Sequence, residues 1–373
     1  MQPILQFGTS RFLQAHVDLF IGEALESRNA LGRVTVVQTT GSAESARRVA
    51  AFRQGGAYPV IIRGWQDGAP YQREQQVRSV ANALQASEEW PQVVAAAVAA
   101  QVIVSNTGDR GYELSGSDNA QLLENGQVPQ SFPAKLLVLL HARYVLGAAP
   151  VTLMPCELVA NNGSVLRDVV TGLARSWGVG TAFLAWLERA CIWVNSLVDR
   201  IVSQALEPAG AVAEPYALWA IEAQPGMVLP CTHPQIVVTD QLAPYERRKL
   251  LMLNLGHTFL AERWLAAGSP ANLTVREAMA DAALRAELEA VWEEEVLPLF
   301  AALGDGELSR AYLAQVRDRF SNPFLDHRLA DIAQNHEEKK RRRLQPAIDL
   351  AAELRIDLAQ RRLRAALAKG AAA

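Results

Sequence analysis

The stretch "ERRKLLMLNLGHTFL", Glu246 to Leu260, sets one lysine, one asparagine and one histidine into a run otherwise rich in leucine, methionine and phenylalanine. Its period reads as a helix. On a wheel of ~100° per residue with Lys249 at zero, Glu246 falls near ~60°, His257 near ~80° and Asn254 near ~140°. All four share one arc. Leu251, Met252, Leu255 and Phe259 take the opposite side, and Leu250 and Leu253 interrupt the arc itself. A helix this apolar is expected to be buried on several sides. Polar groups there need partners or a purpose. The residue types suit proton transfer at an oxygen. A desolvated Lys249, its pKa lowered toward neutrality, serves as general acid/base. Asn254 donates a hydrogen bond to a carbonyl or alkoxide oxygen. His257 orients that oxygen, and Glu246, one turn earlier, passes the proton to solvent. The competing reading makes His257 a satisfied core histidine, bonds Asn254 to backbone and lets Lys249 snorkel outward.

A second candidate site opens the chain. In "LQFGTSRFLQAH" a strand ends at Gly8 and a helix begins almost at once. The free N–H groups and positive dipole end of such a helix suit a pyrophosphate, which makes Gly8, Thr9, Ser10, Arg11 and Phe12 cofactor candidates. Ser10 stands where a dinucleotide fingerprint has its second glycine, so a plain tight turn competes with this reading. The next strand, "RVTVVQTT", ends in Gln38 and Thr39 without the acid that binds an NAD ribose, so NAD against NADP stays open. A nicotinamide beside the Lys249, Asn254 and His257 set fits hydride exchange at an alcohol carbon. No metal is needed to polarise the oxygen.

These groups need a scaffold. "PILQFG", "RVTVVQTT", "YPVIIRG", "AAQVIVSNT", "VTLMPC" and "CIWVNS" read as strands. Helical stretches lie between several of them: residues 11–26, "SAESARRVAAF", and "SFPAKLLVLLHARY" with Ser131 as N-cap and Pro133 in the first turn. Strand–helix alternation with nearly continuous apolar strands predicts an α/β fold whose sheet is mostly parallel and covered on both faces. From Pro244 onward almost every segment is helical in period. The expected division is 1–240 as a dinucleotide-binding domain and 241–373 as a helical substrate-binding domain.

Composition narrows the class. The chain has 373 residues and a formal net charge of −3, with no global pull toward nucleic acid or anionic membrane. Cys156, Cys191 and Cys231 are widely spaced, with no zinc pattern, and a reducing cytoplasm is the expected home. The N-terminus lacks a signal-peptide pattern, and no apolar run is long enough to span a bilayer. The basic run "NHEEKKRRRLQPAIDL" is expected as a solvated helix, and the tail "AKGAAA" as a frayed end.

Several segments together resemble one family. "RKLLMLNLGH" is similar to the K-x4-N-x2-H catalytic motif of the mannitol dehydrogenase family. "LQFGTSRFLQAHVD" resembles its opening F-G-x-G-x-F-x-R-x-H, with Ser10 for the second glycine and Gln14 for the arginine. "VIVSNT", "SFPAKL", "PCELVANNG" and "VNSLVDRIV" resemble further family segments. "VVQTTGS", "EPYALWAIE", "VVTDQLAPYERRK" and "RFSNPFLDHRLADIAQN" resemble the family's tagaturonate reductase (altronate oxidoreductase) branch. The resemblance implies a Rossmann-type N-terminal domain and a mostly helical C-terminal domain. It also implies metal-independent, NAD(P)-dependent interconversion of a secondary alcohol and a ketone on an acyclic polyol or sugar acid. It assigns Lys249 as acid/base, Asn254 and Asn162 to the reacting oxygen, with Asn161 adjacent, and Glu246 to the proton path. Asp199, His327, Lys339 and Arg343 become substrate contacts, and Asn106 and Thr107 cofactor contacts. The expected partner is a small-molecule polyol or sugar acid, with no nucleic acid, no membrane and no stated oligomeric state. A mannitol-type polyol 2-dehydrogenase is the second reading. A catalytically silent nucleotide-binding regulator is the reading from another class. The intact Lys249, Asn254 and His257 set argues against it.

Overall fold

The computed structural model describes residues 1–108, 110–147, 149–270 and 272–368, so the expected frayed tail beyond Ala368 lies outside the described residues. The chain forms two compact units. The first comprises residues 1–62, 73–213 and 217–242, and the second 63–72, 214–216 and 243–373.

The first unit is built on a six-stranded sheet. Its strands are β1 (Ile4–Phe7), β2 (Val34–Gln38), β3 (Val80–Gln85), β4 (Val102–Ser105), β5 (Val151–Pro155) and β6 (Cys191–Trp193). They lie in the order β3-β2-β1-β4-β5-β6, and every neighbouring pair is parallel. β1, β2, β4 and β5 are buried along their whole length, which is why they read as unbroken apolar runs. This is the doubly wound dinucleotide-binding order. Its direction reverses between β1 and β4, where Phe7 lies opposite Ser105.

Three departures from the sequence pattern have physical reasons. The run around "YPVIIRG" is a strand, Tyr58–Gln66, but it sits in a separate sheet with Ala69–Val77, Ala211–Ala213 and Val202–Ala205. Its burial alternates, as one wetted face requires. It turns at Asp67 and Gly68, both with positive φ, the two-residue hairpin loop that an Asp-Gly pair favours. β3, in "SVANALQ", carries Asn82 and Gln85 and shows no apolar run. The helix expected over residues 11–26 breaks at His16 (φ −126°, ψ −84°) into Arg11–Ala15 and Val17–Glu26. Ser131 is an N-cap as expected, its Oγ accepting the Ala134 N–H at 3.4 Å, and the Asp118 carboxylate secures it by accepting from Gln130 N and Ser131 N.

The second unit is helical apart from its two short inserted segments, and no described helix is long and apolar enough to cross a membrane. Its core gathers Leu251, Met252, Leu255 and Phe259 with Trp292, Phe300, Leu313 and Phe320. A buried ion pair, Arg319 with Glu214 at 2.8 Å, ties the 214–216 segment to the helix Gly306–Phe320. The basic run is not simply a solvated face. Lys340 is 1% exposed and pairs with the buried Glu262 and with Glu337, at 3.4 and 2.9 Å. Lys340 therefore bolts the helix His336–Arg343 to the helix Leu255–Ala266.

One buried acid sets a pH limit on the first unit. Asp18 is wholly buried, accepts from Tyr58 OH at 3.0 Å, and leaves Oδ1 without a hydrogen bond. Burial pushes its carboxyl up to about 7 from 3.8, against the pull of its Tyr58 and Gln6 hydrogen bonds. Its contribution is full below the unfolded value and is lost as pH rises toward the folded one. Asp18→Asn should therefore gain stability relative to wild type between about pH 4 and 7, by roughly 4 kcal/mol at most. Urea midpoints at several pH values check this, and a pH-independent difference would contradict it.

Candidate active site

The apolar segment that opened the sequence is not a plain α-helix. Ala243–Arg248 is α-helical, Lys249–Asn254 is a π-helix, and Leu255–Ala266 resumes the α-helix. Within the π stretch the backbone closes i→i+5, as in the Leu255 N–H to Leu250 carbonyl bond. This corrects the wheel. At α spacing Lys249 and Asn254 diverge, whereas here, five apart, they are spaced one wider turn from each other. Trp292 pins the widened turn. It is fully buried within a second π-helix, Val291–Val296, and its Nε1 donates to the Met252 carbonyl at 3.1 Å. Gly256 makes room for the ring, since a Cβ there would come within 2.7 Å of it. Upstream, Arg248 grips both oxygens of Asp305 at 2.8 and 2.9 Å and lies over the Tyr245 ring, fixing the entry to Lys249. Glu246, Lys249 and Asn254 are half-buried, so Lys249 is less enclosed than its leucine-rich setting suggests.

His257 is enclosed. It is 6% exposed, stacks on Phe320 at 4.3 Å and meets His327 edge-on at 4.7 Å. Burial holds its pKa well below the usual histidine value, with His327, Arg319 and Arg343 acting in the same direction. His257 is thus a neutral imidazole, fit to give or take a hydrogen bond. The His327 carbonyl accepts from Val275 N at 2.9 Å, which anchors its loop. Burial also lowers His327, Lys339 and Arg343. Lys339 and Arg343 both act electrostatically on His327, and Arg343 acts on Lys339. Lys339 Nζ donates to the Ile332 carbonyl at 2.8 Å, and among the described residues no carboxylate pairs with Lys339 or Arg343. The second unit thus groups His257, His327, Lys339 and Arg343 as a cationic cluster around neutral imidazoles.

The first unit gathers the cofactor candidates at the β1/β4 reversal. Gly8 has φ +116°, and a Cβ on it would lie 2.7 Å from the Asn106 carbonyl, so only glycine fits. Thr9 is buried, Ser10 caps Arg11–Ala15 and donates to Asn106 Oδ1 at 3.4 Å, and Arg11 is exposed. Phe12 stacks on His16 at 4.8 Å. Gln14, where the family pattern has arginine, links the Thr9 carbonyl to the Gly210 N–H. Gln38 gives its amide to the Thr40 and Ser42 carbonyls at 2.5 and 3.3 Å, while its buried Oε1 has no partner, and Thr39 follows it. Asn106 donates to the Cys156 carbonyl, and Thr107 hydrogen-bonds Glu157.

Asn162 is tightly held. It is 1% exposed, its Nδ2 faces the carbonyls of Pro155, Glu157 and Ser196 within 3.2 Å, and its Oδ1 accepts from Gly163 N and Ser196 N. A side chain so bonded staples its turn. Its exposed neighbour Asn161 holds an αL backbone at φ +51°. Asp199 is buried at the end of the strand Ser196–Asp199. Sequence reading passed over Trp292, Phe320 and Glu157. Trp292 and Phe320 look like ordinary core, and Glu157 looks like one more surface acid.

Comparison with known proteins decides the family. The mannitol dehydrogenase Rossmann domain matches residues 2–229, and the mannitol dehydrogenase C-terminal domain matches residues 241–371. The chain belongs to the mannitol dehydrogenase family. Within this family's wider company, the altronate oxidoreductase of Halalkalibacterium halodurans is 33% identical over 93% of this chain and 70% of its own length. That of Bacillus subtilis is 30% identical over 96% of this chain and 77% of its own. A substrate-free D-sorbitol dehydrogenase shares the fold with a TM-score of 0.83 at 22% identity, covering 98% of this chain and 80% of that one. Pseudomonas fluorescens mannitol 2-dehydrogenase, in a ternary complex with NAD and D-mannitol, does so with a TM-score of 0.75 at 20% identity, covering 99% and 78%.

Two outcomes follow for this family member. Trp292→Phe keeps a ring against Gly256 but leaves the Met252 carbonyl without its donor. It should cost about 1–2 kcal/mol of stability and lower turnover by about tenfold. Unchanged melting and unchanged turnover would remove Trp292 from the site's support. In His257, the neutral ring should show no titration by NMR between pH 5.5 and 8, and a midpoint inside that window would show the burial argument wrong.

Proposed function

We propose that the chain is an NAD-dependent oxidoreductase that interconverts a secondary alcohol and a ketone on an acyclic sugar acid, with keto-uronates such as tagaturonate as the leading substrates. The observation that carries the substrate class is the pair Lys339 and Arg343. Two partly buried cations that no carboxylate pairs among the described residues suit an anionic substrate group, and a guanidinium fork matches a carboxylate. The altronate oxidoreductase relatives agree with that chemistry.

The first unit fits the nucleotide. Gly8 lets the chain turn where only glycine can, at the reversal of strand order. The orphaned Gln38 Oε1 stands at the end of β2, where this topology seats the adenosine ribose, and offers a neutral acceptor to a hydroxyl. When bound, NAD supplies the hydride acceptor and its reduced form the donor. In oxidation Lys249 removes the proton from the substrate hydroxyl, and in reduction it returns one to the carbonyl oxygen. Asn254, brought into step with Lys249 by the π turn, donates a hydrogen bond to that oxygen. Neutral His257 orients it, and Glu246 passes the proton on. His327 completes the substrate contacts, and Lys339 and Arg343 hold the carboxylate.

The test follows oxidation of NADH and NADPH with keto-uronates, ketoses and ketose phosphates, using wild type, Lys249→Ala and Arg343→Met. Keto-uronate turnover is expected, with Lys249→Ala slower by at least about 10²-fold. Arg343→Met should raise KM for the keto-uronate by about 10–100-fold and leave a neutral ketose unaffected. Turnover of fructose but of no uronate would keep the proton chemistry and sink the sugar-acid assignment in favour of a mannitol-type enzyme. Wild-type rates in Lys249→Ala would overturn the mechanism.

A further inference from the structure

Glu157 is a buried acid to which the mechanism above gives no task. It is 3% exposed and follows the end of β5 by two residues. Its carboxylate takes four hydrogen bonds. Oε1 accepts from Thr107 N at 3.0 Å and Thr107 Oγ1 at 2.9 Å, and Oε2 accepts from Ser105 Oγ at 3.0 Å and Tyr112 OH at 3.2 Å. No lysine or arginine joins it among the described residues. Burying a carboxylate on neutral donors alone is costly, so the arrangement persists only because every donor is aimed at it.

The donors are the last residue of β4 and two residues of the loop that leaves it. The backbone on either side of the carboxylate reaches the same loop and the turn behind it. The Cys156 carbonyl accepts from Asn106 Nδ2 at 2.8 Å, and the Pro155 and Glu157 carbonyls accept from Asn162 Nδ2. Tyr112 OH also reaches the Asn162 carbonyl at 3.2 Å. Asn106 in turn abuts Gly8 and Ser10. Residues 155–157 therefore fasten one wall of the crevice at the β1/β4 reversal. In this strand order the adenosine half of a dinucleotide lies over β1–β3, where the ribose acceptor sits at the end of β2. The other half falls to β4–β6, the side that Glu157 fastens.

We propose that Glu157 is a positioning residue for the nicotinamide half of the cofactor, acting through Thr107 and Asn106. The inference rests on the nucleotide reading of the first unit. It separates two functions of one crevice: affinity for the adenosine end should not depend on Glu157, and placement of the reactive ring should.

Glu157→Gln keeps the shape but sets an amide against donors, and Tyr112→Phe removes one donor only. Titrate NADH and ADP against wild type and both variants, by NADH fluorescence and by calorimetry, with thermal melting as the check on folding. Glu157→Gln should weaken NADH binding by about tenfold and leave ADP binding unchanged. Turnover should fall while KM for the ketone substrate stays constant. Tyr112→Phe should show the same pattern at about threefold, which keeps the test open if Glu157→Gln does not fold. Equal losses for NADH and ADP, or no loss for either, would overturn the positioning role. A wild type that binds neither nucleotide overturns the reading on which it rests.

Discussion

The candidate chemistry of the second unit depends on one backbone feature, the i→i+5 turn from Lys249 to Asn254. A regular α-helix would splay these two side chains apart around the axis. The wider turn sets them one turn apart along the segment. Such turns are uncommon because each trades the tighter α-helical bonds for looser ones, so they persist where the surroundings select them. Here the surroundings are Trp292 and Gly256. The indole N–H bonds the Met252 carbonyl inside the turn, and the glycine lets the same ring lie against the chain just beyond it. The ring then leans on Phe320, and Phe320 stacks on His257. One tryptophan thus supports both the lysine–asparagine spacing and, through a second ring, the plane of the imidazole.

The first unit meets a comparable demand by hydrogen bonding. Its crevice needs two loops to approach within van der Waals distance, and Gly8 against the Asn106 carbonyl is that approach. Gln14, in place of an arginine, no longer offers a charge. It offers a bifunctional amide that closes the Thr9 carbonyl and the Gly210 N–H together. The turn is therefore held by geometry, with the backbone N–H groups of the helix start and the exposed Arg11 beside it. Ser10, standing where a glycine is usual, uses its hydroxyl as the helix cap and as a tie to Asn106.

Much of this was legible in the sequence, and the failures are instructive. The parallel sheet showed because strands buried on both faces must be apolar throughout, as "VIVS" and "VTLMP" are. β3 stayed hidden because Asn82 and Gln85 interrupt its apolar pattern. The motif Lys249, Asn254 and His257 was visible from residue type, but its geometry was not, since periodicity assumes a uniform helix and a π turn leaves no compositional mark. Asn162 illustrates the converse limit. Its "NNG" context reads equally well as a binding turn or a structural one, and the five bonds on its amide, made to residues distant in sequence as well as near, leave no mark in that context. Lys340 was lost among the lysines and arginines around it because burial of one member of a charge run depends on a distant partner, Glu262.

The charge balance around His257 bears on how the site would respond to an anionic substrate. Three influences lower the imidazole besides His327: burial, Arg319 and Arg343. A carboxylate bound at Lys339 and Arg343 would offset part of the cationic influence and draw both histidines back toward protonation. Burial is the largest of the causes and is untouched by that offset. Arg319 is already balanced by Glu214 in a pair that solvent does not reach. The largest influence on His257 is therefore independent of any anion. His327 is half-buried, with Asp331 pulling it upward against burial, Lys339 and Arg343. The two imidazoles touch edge to face, yet one is buried and the other half-buried, so the cations of the cluster act on two differently screened rings.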